Sequence, residues 1–360
     1  MYTLNLLIDV FWVFFFSLIF IFVARKVAKR FGLVDEPNHR KKHQGEIPLV
    51  GGITVFFGIS LAFMITHEYI PHKWLYLICA GILVFVGVLD DRFDISVKIR
   101  ATIQAIVAFV MIYFTGLTLD NLGYAFGPWQ VTLGPLSYLM TLFAVWGAVN
   151  AFNMVDGIDG LLGGLSCVSF AALGILLYQN GNMALAFWCF AVIAAILPYI
   201  FLNLGLLGKR YKVFMGDAGS TLIGFTIIWL LLMSTQGEPR LIKPVTALWI
   251  IAIPLMDMIA IMYRRLRKGM NPFSPDRQHI HHLIMRSGFT SSQAFILITL
   301  VAAIFAVIGL IGERSSFIPE WVILALFLLI FAIYGYCIKR AWKAARFVKR
   351  VKRRMQRIAK

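Results

Sequence analysis

Long apolar stretches alternate with short polar connections along almost the whole chain. A helix needs roughly 20 predominantly apolar residues to cross a bilayer, and about eleven segments approach that length. The pattern predicts an all-α polytopic integral membrane protein with about 11 transmembrane helices. The predicted spans are Leu4–Ala24, Ile47–Ile65, Trp74–Leu89, Ile103–Leu117, Leu136–Phe152, Leu161–Tyr178, Met183–Leu202, Gly219–Met233, Val245–Tyr263, Ala294–Ile311 and Trp321–Ile338.

Lysine and arginine are concentrated in every second connection. Of the 34 basic residues, 30 follow odd-numbered spans or lie in the C-terminal tail. Because basic residues are retained on the cytoplasmic side, this distribution predicts a periplasmic N-terminus and a cytoplasmic C-terminus. The net charge of +17 follows from this orientation, so it does not indicate a nucleic-acid partner.

Composition indicates one membrane domain, since 60% of the residues are hydrophobic and only 14% are charged. We predict a single transmembrane catalytic domain over residues 1–338 and a basic cytoplasmic tail over 339–360. The tail is expected to lie on anionic membrane lipids. The predicted cytoplasmic loops are 25–46, 90–102, 150–160, 203–218 and 264–293.

Five aspartates lie at or just beyond the ends of apolar segments on the predicted cytoplasmic side: Asp90, Asp91, Asp156, Asp159 and Asp217. Carboxylates at membrane depth are costly and are usually functional. Because acidic oxygens suit a hard divalent cation, these loops predict a magnesium site. Each motif also has a structural alternative: a solvated helix end for the first pair, an Asp-Gly turn for the second and a helix N-cap for the last.

Basic and histidine residues accompany these carboxylates. Lys98 and Arg100 follow the first pair, and Arg265 precedes the run His279-Ile-His281-His282. Three histidines can indicate zinc, but no cysteine lies nearby and the acidic residues suit magnesium better. Cations and a metal around a phosphoryl group neutralise its charge. The loops therefore predict a soluble phosphate substrate together with a lipid substrate.

Four motifs occur in a characteristic order. They are Asp90-Asp91 with Lys98 and Gln104, Asn150 and Asn153 before Asp156-Gly-Ile-Asp159-Gly, Phe214-Met-Gly-Asp217-Ala-Gly-Ser220, and His279-Ile-His281-His282. These motifs resemble those of the polyprenyl-phosphate N-acetylhexosamine-1-phosphate transferases, and nearly the whole chain looks like the enterobacterial branch that uses UDP-GlcNAc. The resemblance implies transfer of GlcNAc-1-phosphate from UDP-GlcNAc to undecaprenyl phosphate, with undecaprenyl-diphospho-GlcNAc and UMP as products. It also implies a bacterial inner-membrane enzyme that starts O-antigen and enterobacterial common antigen synthesis.

The resemblance also implies a role for each motif residue. Asp217, aided by Asn153, would hold Mg²⁺, for which Mn²⁺ can substitute. The expected catalytic residues are Asp90, Asp91, Asp156 and Asp159. The expected substrate-binding residues are Lys98, Phe214, Arg265, His279, His281 and His282. Asn203 is left unassigned because its connection to Asp217 is longer than in many relatives.

The mechanism expected from the resemblance is direct attack of the lipid phosphate on the β-phosphorus, with a covalent aspartyl-phosphate route left open. Formation of a homodimer is also left open. Two other classes fit less well. An intramembrane aspartyl protease does not predict the histidine run, and a transporter would place its polar residues near the bilayer midplane. We expect the eleventh span to have no effect on the chemistry.

Overall fold

The computed structural model describes residues 2–36, 45–237, 239–271 and 279–358, apart from the side chains of residues 2–4 and 341–358. About 75% of the chain is helical. The helices are α1 Tyr2–Phe31, α2 Gly51–Ile65, α3 Lys73–Phe93, α4 Val97–Thr115, α5 Leu136–Val155, α6 Leu161–Gln179, α7 Met183–Asn203, α8 Gly216–Gln236, α9 Pro244–Ile250, α10 Ala252–Leu266, α11 Ile280–Arg286, α12 Ser291–Arg314 and α13 Glu320–Ile358.

The predicted all-α polytopic class is confirmed. Within the described ranges, nine helices are long and apolar enough to cross a membrane. The bent pair α9–α10 would make a tenth crossing, and α2 is a shorter apolar helix of 15 residues. Every predicted span thus coincides with an apolar helix or helix pair, while the number of crossings and the orientation stay predictions.

The ninth predicted span is not one helix. Its two halves, α9 and α10, meet at Ile251 at an angle of 82°. Pro254 gives the physical reason, because in a continuous helix it has no N–H to donate and its ring would clash with the carbonyl of Ile250. The bend sends α10 away from the axis of α9, and α10 carries Asp257 into a buried position.

Helix α8 is the centre of the bundle, buried along nearly its whole length and packed against α2, α3 and α5. Small residues allow this close packing, as is usual between helices in membranes. A Cβ on Gly52 of α2 would collide with the backbone of Gly219, and one on Gly87 of α3 would collide with the backbone of Ala218. Both contacts lie at the N-terminus of α8, so this end of the helix is the most tightly enclosed.

A short β-structure ties two distant loops to this end. Strand β1, Val34–Asp35, pairs antiparallel with β2, Ile47–Pro48. The chain then runs alongside the segment before α8, where Phe214 N–H donates to the Pro48 carbonyl (2.9 Å) and Gly51 N–H donates to the Phe214 carbonyl (3.0 Å). The loops after α1 and α7 therefore meet at the end of the bundle that holds Asp217, which we call the site end.

Several sequence expectations lie outside the described part of the chain. Residues 37–44 belong to the first predicted loop, residues 272–278 to the ninth, and the side chains from 341 onward to the predicted tail. The helical backbone of α13 nevertheless continues without a break through the predicted tail as far as Ile358.

Candidate active site

The N-terminus of α8 organises the site end. Gly216 has a φ of +75°, a left-handed conformation that favours glycine, and a Cβ there would collide with the Asp91 carboxylate. Asp91 instead accepts hydrogen bonds from the backbone N–H groups of Asp217 (2.8 Å) and Ala218 (3.4 Å). A carboxylate from α3 therefore caps α8, and the alternative in which Asp217 is itself the N-cap is wrong, because Met215 holds that position with no side-chain cap.

Asp90 and Asp217 face one arginine. Arg100 Nη1 makes a very short ion pair with Asp90 Oδ2 and lies 3.5 Å from Asp217 Oδ2. Asp90 is almost fully buried and also accepts a hydrogen bond from the Ile95 backbone N–H at 2.8 Å. The guanidinium thus compensates two carboxylates that would otherwise repel each other in a partly buried position.

These three side chains form the polar end of a cavity between α3, α4, α5 and α8. Gln104, Asn150 and Asn153 add polar atoms to its lining. The Gln104 Oε1 atom is buried and has no hydrogen-bond partner among the described residues. The remaining wall contains Thr221 and is otherwise apolar, with Leu83, Val86, Gly87, Val97, Ala101, Trp146 and Val149.

Asn153 connects α5 to the same cluster. Its Nδ2 donates to Asp217 Oδ1 (2.6 Å) and to Ser220 Oγ (2.9 Å). The amide therefore orients the Asp217 carboxylate through its nitrogen. Asn150, one turn earlier, uses its Nδ2 on the Trp146 carbonyl at 2.7 Å.

The loop after α5 contains no lysine or arginine, and a lysine from another loop balances one of its carboxylates. Asp159 forms an ion pair with Lys212 from the loop after α7, with a distance of 2.6 Å. The Lys212 ammonium also lies 5.3 Å from the centre of the Phe214 ring. The buried Asn203 side chain joins the same two loops, because it accepts from Gly160 N–H (2.6 Å) and donates to the Val213 carbonyl (2.9 Å). This gives Asn203 a structural role.

Asp156 lies on the surface of this loop and keeps part of its side chain open to solvent. Desolvation by the protein around its carboxyl group, followed by the charges of Asp217 and Asp159, raises the pKa of Asp156 to about 7. The residue therefore belongs electrostatically to the same acidic cluster as Asp217.

The histidine segment packs against the other side of the loop after α5. His279 Nδ1 lies 2.8 Å from Asp257 Oδ2, and the His279 ring is parallel to that of His281 at 5.6 Å. His281 is buried against the backbone of Gly157, and neither ring nitrogen has a hydrogen-bond partner among the described residues. Burial, together with the nearby His282 and His279, lowers the pKa of His281 to about 2, so this ring is neutral.

The structure places most of the predicted site residues at the site end, and the catalytic, metal-binding and substrate-binding roles given to them stay predictions. Lys98 is exposed on α4 and does not line the cavity, whereas Arg100, half a turn further on, does. Arg265 is buried in α10. His282 is partly buried beside His281, with ring centres 4.2 Å apart. Arg100 was predicted only as one of several basic residues that could hold substrate phosphates. The 3.6-residue period of α4, which separates Arg100 from Lys98 by about 200°, was the signal that could have distinguished the two.

The oxygen atoms at the polar end of the cavity are of the chemical type that binds a hard divalent cation. Asp90 and Asp217 offer carboxylate oxygens towards one shared position, and oxygen ligands are those that magnesium prefers. Arg100 is the cation at that position. Within the described ranges, no three acidic, histidine or cysteine side chains converge as a ligand group. Asp217 and Asp90 are thus suitable in charge, while Asn153 turns its nitrogen rather than its oxygen towards Asp217.

Known proteins with similar sequences cover the whole chain. Residues 73–235 match Glycosyl transferase family 4. The chain is 72% identical to the undecaprenyl-phosphate alpha-N-acetylglucosaminyl 1-phosphate transferase of Yersinia pestis, over 100% of this chain and 99% of that protein. The proteins of the same name from Escherichia coli K12 and Haemophilus influenzae are 71% and 54% identical, over 97% and 98% of this chain and 95% and 100% of theirs.

Identity of this extent includes every helix that contributes to the site end. The chain therefore belongs to glycosyl transferase family 4, among the polyprenyl-phosphate N-acetylhexosamine-1-phosphate transferases, and it is an enzyme of the glycosyl-1-phosphate transferase class.

Proposed function

We propose that the enzyme transfers GlcNAc-1-phosphate from UDP-GlcNAc to undecaprenyl phosphate and releases UMP. The names of the full-length relatives support undecaprenyl phosphate as the acceptor and GlcNAc-1-phosphate as the transferred group, and UDP as its carrier rests on the resemblance of the motifs. The observation that carries the proposal is the cavity whose polar end holds Asp90, Arg100 and Asp217 and whose wall includes an apolar surface from Leu83 to Val149. Such a cavity suits a phosphate attached to a long hydrocarbon chain.

The acceptor lipid would bind with its phosphate at Arg100. A guanidinium is well matched to phosphate oxygens, since it can donate two parallel hydrogen bonds. Gln104 lies beside it, and Val97 and Trp146 provide apolar surface for the first isoprene units. Asp90, which forms an ion pair with Arg100 and also lines the cavity, would orient the lipid phosphate or accept its proton.

The donor would bind at the loops after α5 and α7. Phe214 offers an aromatic face for uracil, and Lys212 offers a cation for the diphosphate beside Asp159. Asp156 and Asp159 would position the nucleotide, and Arg265 with the histidine segment would hold the diphosphate or sugar.

In the proposed reaction, an oxygen of the lipid phosphate attacks the β-phosphorus of UDP-GlcNAc. The new P–O bond forms the lipid diphosphate, and the bond from the β-phosphorus to the UMP oxygen breaks. Bound Mg²⁺, or Mn²⁺ in its place, would neutralise charge on the diphosphate. Asp217, oriented by Asn153, is the residue we propose to hold it, with Asp90 nearby.

The cellular setting is part of the same proposal. The site end would face the cytoplasm of a bacterial inner membrane, where UDP-GlcNAc is available. The product would be the first lipid intermediate of O-antigen and enterobacterial common antigen.

The direct test follows UMP release by purified protein with UDP-GlcNAc, undecaprenyl phosphate and Mg²⁺. We expect Asp217→Asn to abolish turnover, because it removes the charge of the proposed ligand without changing its size. Asp94→Asn is the matched control. Asp94 is an exposed residue at φ 52°, a left-handed conformation that asparagine also adopts readily.

Normal turnover by Asp217→Asn would remove Asp217 from the metal site. Absence of UMP with wild-type protein would refute the proposed reaction. A phosphorylated enzyme isolated after incubation with UDP-GlcNAc alone would replace direct attack by a covalent route.

A further inference from the structure

A buried carboxylate outside the acidic cluster connects its own helix, α10, to two other segments: the start of α11 and helix α13. Asp257 of α10 is fully buried, and its Oδ2 atom lies 2.8 Å from His279 Nδ1. Its Oδ1 atom accepts from the Ile280 backbone N–H (3.2 Å) and from the Tyr334 hydroxyl of α13 (2.9 Å). A buried carboxylate is tolerated only when it is well hydrogen-bonded, so these three donors fix its position closely.

We propose that Asp257, braced by Tyr334, is a positioning residue that sets the tautomer and orientation of His279 for the transfer reaction. This role rests on the function proposed above. An ionised carboxylate can only accept hydrogen bonds, so the proton of His279 is held on Nδ1. The other ring nitrogen, Nε2, is then free of that constraint and keeps a defined direction, as in carboxylate–histidine pairs that support metal and phosphate sites.

The position of His279 is passed on to the acidic cluster by direct packing. Its ring lies parallel to that of His281, with an interplanar angle of 6°. His281 in turn is pressed against Gly157, the residue that follows Asp156. A shift of His279 would therefore displace the loop on which Asp156 and Asp159 lie.

The contact with Tyr334 gives α13 a part in the site that the sequence did not suggest. Ile338, one turn further along α13, forms a small apolar cluster with Leu283 of α11, and both Ile280 and Tyr334 pack against this cluster. Helix α13 thus holds both the carboxylate and the helix that follows His279. The expectation that the eleventh span has no effect on the chemistry is therefore tested directly by substitution of Tyr334.

Two disruptive substitutions, Asp257→Asn and Tyr334→Phe, and one conservative substitution, Asp257→Glu, test the proposal through kinetics with each substrate. Asp257→Asn replaces an oxygen with an N–H donor, which removes the preference for a proton on His279 Nδ1. We expect kcat/KM for UDP-GlcNAc to fall about 10–100-fold, the usual effect of losing such a partner. Tyr334→Phe removes one of the three hydrogen bonds to Asp257 and should lower kcat/KM for UDP-GlcNAc roughly 3–10-fold. Asp257→Glu, which keeps the carboxylate, should recover part of the loss.

The KM for undecaprenyl phosphate should stay unchanged in both variants. The acceptor cavity is lined by α3, α4, α5 and α8, whereas Asp257 contacts α11 and α13. Tyr76→Phe is the matched control, because it removes another buried tyrosine hydroxyl, bonded to Thr226 Oγ1 at 2.6 Å, from the core. It should leave both kinetic constants as they are.

The outcomes separate this role from simple stabilisation of the fold. A donor kcat/KM within twofold of wild type for Asp257→Asn, equal changes in both KM values, or the same effect from Tyr76→Phe would each overturn it. If Asp257→Asn does not fold, Tyr334→Phe carries the test alone. Wild-type protein that releases no UMP refutes the proposed function and this role together, whereas active wild type with unaffected variants refutes only the role of Asp257.

Discussion

Replacement of Arg100 should have opposite effects on the two ligands that we assign to its surroundings. The guanidinium lies between the Asp90 and Asp217 carboxylates, where it compensates charge that a divalent cation would also compensate. Arg100→Gln therefore removes a competitor of Mg²⁺ and, at the same time, the cation proposed to bind the lipid phosphate. We expect Mg²⁺ to bind more tightly and the acceptor to bind more weakly.

The expected gain in Mg²⁺ affinity follows from the distance between Arg100 and Asp217 and from the solvent exposure of these two side chains. Arg100 Nη1 is 3.5 Å from Asp217 Oδ2, and two unit charges at such a separation interact by about 5 kcal/mol at an effective dielectric constant near 20. The two side chains are 30% and 39% exposed, so solvent screening reduces the net contribution to about 1–2 kcal/mol. This corresponds to roughly 5–30-fold tighter Mg²⁺ binding.

The assay is a titration of thermal stability. Protein treated with EDTA is titrated with MgCl₂, and the Mg²⁺ concentration at half-maximal stabilisation is compared between wild type and Arg100→Gln. Lys98→Gln is the control, since Lys98 is a basic residue of the same helix that is exposed and does not line the cavity. A midpoint that is unchanged or higher in Arg100→Gln, or an equal decrease in Lys98→Gln, would refute the reasoning.

Three further predictions concern the loop after α5 and its neighbours. Lys212→Met should raise the KM for UDP-GlcNAc severalfold and change thermal stability little, because its pair with Asp159 is partly exposed. Gly157→Ala should lower the free energy of unfolding by about 1–3 kcal/mol, since its Cβ would collide with the His281 ring. It should lower the rate of UMP release as well. Gly147→Ala, which meets only one methyl group at 3.8 Å, should be close to neutral in the same thermal and UMP-release measurements. The low pKa of His281 means that the unfolded state binds a proton below about pH 6.5 that the folded state does not. His281→Asn should therefore make the loss of stability between pH 6.5 and 4.5 shallower, by up to about 1.4 kcal/mol per pH unit, in denaturation measured at each pH.

The helices were predictable from sequence because membrane spans are defined by local composition. Each of the eleven predicted segments coincides with an apolar helix or pair, from α1 to α13. The break at Ile251 was not predicted, since hydropathy does not register a proline in the first turn of a new helix. The meeting of the acidic loops was predictable as well, because alternate loops of a bundle share one end.

Which side chains contact each other inside the site was much less predictable from the sequence. Asp91 reads as a partner of Asp90, yet it faces the backbone of α8, because adjacent residues of a helix point in directions about 100° apart. The bond between Asp257 and Tyr334 joins residues 77 positions apart, neither of which belongs to a recognisable motif. Such contacts depend on the angles between helices, which a single sequence does not contain.

The negative charge of the acidic cluster is only partly compensated by positive charge from the surrounding protein. Asp90, Asp91 and Asp217 bring three carboxyl groups to one place, which carry three negative charges when all are ionised, and Arg100 returns one positive charge. The N-terminus of α8, which Asp91 caps, contributes the equivalent of about half a positive charge. About one and a half negative charges remain, in a position enclosed by tightly packed helices. A divalent cation would balance them, and the diphosphate that accompanies it would restore a negative charge for Arg100 and Lys212 to meet. The arrangement therefore favours binding of metal and diphosphate together over binding of either alone.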